Sequence, residues 1–148
     1  MRKTRGIIIS MLLGAALISC STFKGDPGNP MDGLREHVSA SVLDEDRARS
    51  ILSSVDRIDE LLAESWNIMD QGARDERDLF VDYDSTREDF QKLMASVRDE
   101  RRAVQEQILG EHLSIKSQAT EAEWSEIRPV MVSAVTSRVE ALLSEYNW

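Results

Sequence analysis

The only thiol in the chain is Cys20, directly after Leu17-Ile18-Ser19. Cysteine chemistry runs through the thiolate, which attacks an acyl donor, another sulfur or a metal. A single cysteine excludes an internal disulfide and any paired-cysteine metal site. Two histidines, His37 and His112, are the remaining soft ligands. Glu111-His112 sets a carboxylate beside an imidazole, and no His-x-x-x-His spacing supports it. The two residues are therefore weak metal candidates. Asp56, Asp59, Glu60 and Glu64 form an acidic cluster. On a helix, residues 56, 60 and 64 share a face and can offer oxygens to calcium or magnesium; the same pattern suits a solvated face. Asp82-Tyr83-Asp84 opens like a calcium-binding loop, but Arg87 stands at the glycine position and Leu93 at the terminal glutamate position. No Gly-x-Ser-x-Gly elbow and no glycine-rich phosphate loop occurs. Among 27 acidic residues, no acid–base pair stands out. The expectation is a protein that is not an enzyme and that uses no cofactor.

The residues around Cys20 belong to a larger pattern. Arg2, Lys3 and Arg5 precede an apolar run from Ile7 to Leu17, and small residues follow it. A basic start, a short apolar stretch and a small-residue cut site make a secretion signal. A transmembrane helix needs about 20 apolar residues, more than this run supplies. A plain signal peptide or an uncleaved anchor are the alternatives. Leu at −3, Ser at −1 and Cys at +1 resemble the lipobox of bacterial lipoproteins. That resemblance implies cleavage between Ser19 and Cys20, with covalent lipid, palmitate included, on Cys20 as the mature first residue. It also implies several acyl chains, which stable anchoring requires. Ser21 is not the Asp that favours inner-membrane retention in enterobacterial-type sorting. The expected location is therefore the cell envelope, at the periplasmic face of the outer membrane.

Removing residues 1–19 takes away three basic residues and no acids. The remainder holds 15 basic and 27 acidic residues, a net charge of −12. Such acidity excludes nucleic acid as a partner, because phosphate binding needs basic surface. It also disfavours lying flat on anionic headgroups, so lipid must do the anchoring. The length suits one domain with one modest core.

The anchored part divides in two. Residues 20–29 are a flexible tether with turn chemistry at Lys24-Gly25-Asp26-Pro27-Gly28, spanning roughly 17 Å. Residues 30–148 form a single helical domain. Asn29-Pro30 reads as N-cap and first helical residue of a short helix carrying Leu34, Val38 and Val42. Asp44 caps a long helix over 45–81, about 55 Å, whose stripe includes Ile51, Val55, Ile58, Leu62, Trp66 and Met69. Gly72 is a possible break. A turn follows at 82–86. Asp84 or Ser85 is the expected cap of the next helix, with Glu88 completing a capping box from Ser85. That helix carries Phe90, Met94, Val97, Val104, Ile108, Leu109, His112 and Ile115 and ends near Gln118. Thr120-Glu121-Ala122-Glu123 is a second capping box. The last stripe contains Trp124, Ile127, Met131, Ala134, Val135, Leu142 and Leu143, and Pro129 predicts a kink or a restart within it.

The fold class predicted is all-α, an antiparallel helical bundle, coiled-coil-like, of two long helices plus a C-terminal helix and a short N-terminal helix. Arg98, Arg101 and Arg102 are expected to face Asp59, Glu60 and Glu64. Ala119-Thr120-Glu121-Ala122-Glu123 is similar to the Leu-Thr-x-x-Gln motif of the Spy/CpxP type, with Ala for Leu and Glu for Gln. That resemblance implies a helical hairpin that holds unfolded clients. Three functions are thus expected in order: a membrane-anchored module that binds another envelope protein, a periplasmic metal-binding or sensing protein, and a client-holding chaperone. Tyr146 and Trp148 at the end of the chain are the candidate partner contacts.

Overall fold

The computed structural model describes residues 28–144. Ser19, Cys20, Tyr146 and Trp148 lie outside the described residues. The described chain consists of four helices: α1 Met31–Ser41, α2 Glu45–Val81, α3 Arg87–Gln118 and α4 Glu121–Ser144. It is an all-helical bundle, and no strand occurs among the described residues. None of these helices is long and apolar enough to cross a membrane.

Each helix starts where a side chain can satisfy its free N–H groups. Asn29 Oδ1 accepts the Met31 N–H at 2.9 Å, and Pro30 already has helical dihedrals of φ −54° and ψ −21°. Asp44 accepts the Arg47 N–H at 2.9 Å. The capping box of α3 is built by Thr86 and Asp89, not by Ser85 and Glu88. The Thr86 hydroxyl accepts the Asp89 N–H, and the Asp89 carboxylate accepts the Thr86 N–H at 2.9 Å. Three consecutive residues were able to cap, and the register of the turn decides among them. Thr120 and Glu123 form the expected box on α4.

Neither Gly72 nor Pro129 ends its helix. Helix α2 runs through Gly72 without a break. A Cβ there would come within 2.7 Å of Val97 Cγ2, so the glycine permits close approach of α3. Helix α4 runs through Pro129 as a single element, with no restart.

Helices α2 and α3 form an antiparallel hairpin. Their register is fixed by Ser54 against Ser114, Arg57 against Gln107 and Gly72 against Val97. Helices α1 and α4 pack on the first half of α2. There Met31, Leu34 and Val38 meet Ile51, Val55, Ile58, Ile115, Ile127 and Met131 in one core. Burying each large aliphatic side chain contributes about 1.5–3 kcal/mol. The second half of the hairpin has only its own seam among the described residues. Residues 66–81 of α2 therefore extend about 24 Å beyond the bundle.

The register also corrects the expected charge pairing. With Val97 opposite Gly72, Arg98 to Arg102 lie beside residues near 66–71 of α2. That is some ten residues from Asp59, or about 15 Å along the axis. Arg98 and Arg102 instead contact Asp99 and Glu106 on their own helix.

Candidate functional site

Arginines engage three acids of the α2 cluster, Asp56, Asp59 and Glu60, while Glu64 is exposed. Asp59 is buried at 9% exposure. It accepts hydrogen bonds from Asn29 Nδ2, from Arg35 Nη2 at 3.0 Å and from Arg138 Nε at 2.8 Å. One carboxylate thus ties the entry to α1, α1 itself and α4 to α2. Burial alone would raise the Asp59 pKa. The hydrogen bonds from Arg35, Asn29 and Arg138 outweigh it and hold the carboxyl below its ordinary value. Arg35 also bonds Asp56 at 2.7 Å and Asp32 at 2.8 Å. Its burial opposes the charge, yet the Asp56 and Asp59 carboxylates raise its pKa. Glu60 pairs with Arg57 at 3.0 Å. Asp56, Asp59 and Glu60 are therefore anion partners for arginine, and a cation gains no vacant cage from them.

A second clamp closes the base of the bundle. Arg47 donates to both carboxylate oxygens of Glu123, at 2.7 and 3.1 Å. Together with the Thr120 N–H, this holds the Glu123 carboxyl down at about 2.

The weak metal candidates occupy the α3–α4 side. His112 is half-buried, with its ring edge-to-face against Trp124 at 5.4 Å. Glu111 is half-buried beside it in sequence. Among the described residues, no group of three His, Cys, Asp or Glu side chains gathers to hold an ion.

His112 instead borders an apolar cavity of about 220 Å³ between α2, α3 and α4. Its walls are Ile58, Ile108, His112, Met131, Val132, Val135 and Thr136. The surface around it is unusual for so acidic a chain. Val132 is 60% exposed, Val139 40% and Leu143 51%, while Leu109 and Leu113 on α3 are more than half exposed. At 100° per residue, positions 132, 136, 139 and 143 share one face of α4. Ile127, Met131 and Ala134 occupy its core-facing side. Helix α4 thus carries apolar side chains on two of its sides, while Glu126, Ser133, Ser137 and Glu140 make a third side polar. Leu143 and Leu109, which the sequence stripes place in the core, are surface residues.

The outward valines Val132 and Val139 lie outside the stripe read from the sequence, because α4 spreads its apolar residues over two sides. Asp59 carried a usable signal, since its helical position falls between those of Val55 and Leu52, inside the apolar sector. Comparison of the chain with protein-family models, curated proteins and solved structures finds no match.

Proposed function

We propose that this chain is a membrane-anchored extracytoplasmic lipoprotein whose helical domain binds another envelope protein without catalysing a reaction. The lipid on Cys20 supplies the anchor, residues 20–29 the tether and the α3–α4 side the docking surface. One observation carries the reading: α4 exposes Val132, Val139 and Leu143 around an apolar cavity, on a chain with a net charge of −9. Exposed apolar side chains on a charged protein, arranged around a concavity, suit a partner's apolar anchor. The acidic residues favour this over a metal-binding role, because arginines engage Asp56, Asp59 and Glu60.

The test places a photo-crosslinking residue at position 132 of the full chain in its native envelope. The proposal expects one defined partner band, lost in a Val139→Asp background that keeps its helical circular dichroism. A crosslinking pattern identical to that from the exposed position 60 would overturn it. A broad set of unfolded clients would point to a chaperone of the Spy/CpxP type instead.

A further inference from the structure

Helix α3 segregates its charges. It holds six basic and six acidic residues. At 100° per residue, Arg87, Arg98, Arg101, Arg102 and Lys116 fall within about a third of the helix circumference. No carboxylate lies in that sector; the six acids take the other two-thirds. Met94 and Leu109 share the basic sector, 45% and 57% exposed.

The cations on this ridge are poorly neutralised. Arg98 reaches only its neighbour Asp99, and Arg102 reaches Glu106 at 3.2 Å. All four side chains are at least 68% exposed, so the pairs hold little free energy. Arg87, Arg101 and Lys116 make no ion pair among the described residues. Arg101 Nε is also shielded from solvent without a hydrogen-bond partner. The seam explains this, as Arg101 sits toward α2 while the nearest acids of α3 point away.

We propose that this ridge is a docking site for an acidic amphipathic helix of a protein partner. Carboxylates would engage Arg98 and Arg102, and apolar residues at i, i+3 and i+7 would cover Met94 and Leu109. The inference rests on the protein-binding reading above and adds the chemistry of the partner. Charge complementarity selects the acidic occupant. Width selects a helix over an anionic membrane. The neighbouring α2 carries ten acids against five arginines. A bilayer plane would meet both helices, whereas a single helix, about 10 Å across, lies on α3 alone.

The experiment uses the full chain in uncharged detergent micelles. The probe is a fluorescein-labelled peptide of Glu/Leu heptads, read by anisotropy. The expected result is salt-sensitive binding, weakened about tenfold or more by Arg98→Glu with Arg102→Glu. Lys92→Glu, on the far side of α3, should change affinity less than about twofold. A Lys/Leu peptide should not bind. Both arginines are exposed, and retained helical circular dichroism confirms folding of the variant. Equal peptide affinity of wild type and double variant overturns the proposal. So does Arg98- and Arg102-dependent binding to phosphatidylglycerol vesicles without peptide binding. A dimer in sedimentation that the double variant dissolves also overturns it, because the acidic helix would then be a second copy's α2. If the ridge fails while crosslinking from position 132 persists, only this inference falls. If both fail, the protein-binding reading falls with it.

Discussion

Replacing Asp59 by Asn tests whether one buried carboxylate joins three parts of the bundle. The substitution keeps the shape and removes the charge. Arg35 retains Asp56 and Asp32, so its loss is partial. Arg138 loses its one ion-pair partner among the described residues while its side chain is only 19% exposed. Stripping one partner from a buried pair costs about 3–5 kcal/mol. Residual exposure of both arginines and the polarity of the amide lower that here to about 2–3 kcal/mol. For a domain of this size, the melting temperature should fall by about 8–12 °C. Circular dichroism melts and urea titrations at pH 7 measure it. The control is Asp56→Asn, whose carboxylate is 58% exposed and should matter by less than about 1 kcal/mol. Equal effects of the two substitutions would refute the argument that Asp59 is the central tie.

Two further predictions follow from packing and protonation. Gly72→Ala gains about 1 kcal/mol of helix propensity but drives a methyl into Val97 Cγ2, whose β-branched side chain turns poorly. The net should be a loss of about 1–2 kcal/mol, reversed to a gain in a Val97→Ala background; additive urea midpoints would contradict the close contact. The acid limb of stability comes from Asp59, Asp89 and Glu123, whose folded pKa values are depressed. Depressed carboxyls contribute fully above their ordinary values, 3.8 for the two aspartates and 4.5 for Glu123, and lose that contribution as pH falls through their lower folded values, about 2 for Glu123. The urea midpoint should therefore hold from pH 8 to about 5 and drop below about 4.5, with a shallower drop in Glu123→Gln; a midpoint unchanged down to pH 3 would contradict it.

How far the sequence reaches depends on whether a feature is local. The stripe Ile51-Val55-Ile58-Leu62 and the caps at Asn29, Asp44 and Thr120 are local, and each helix could be placed from them. The all-α hairpin with flanking helices follows from stripe lengths and short connections. Register is not local. Nothing in the order of residues says that Val97 meets Gly72, so sequence alone cannot say whether Arg98, Arg101 and Arg102 face Asp59, Glu60 and Glu64 or, as Arg98 and Arg102 do, acids of their own helix. The cap of α3 was ambiguous for the opposite reason, because Asp84, Ser85 and Thr86 all qualify chemically. The α3–α4 surface depends on how far two helices diverge. The edge-to-face contact of Trp124 with His112 is likewise a tertiary fact with no sequence period.

The most direct test of the account is the mass of the N-terminal peptide of the protein extracted from its native membrane. The account predicts a chain beginning at Cys20, carrying a diacylglyceryl group on sulfur with fatty acid that includes palmitate. A peptide still beginning at Met1, or an unmodified Cys20 in the membrane fraction, would contradict it.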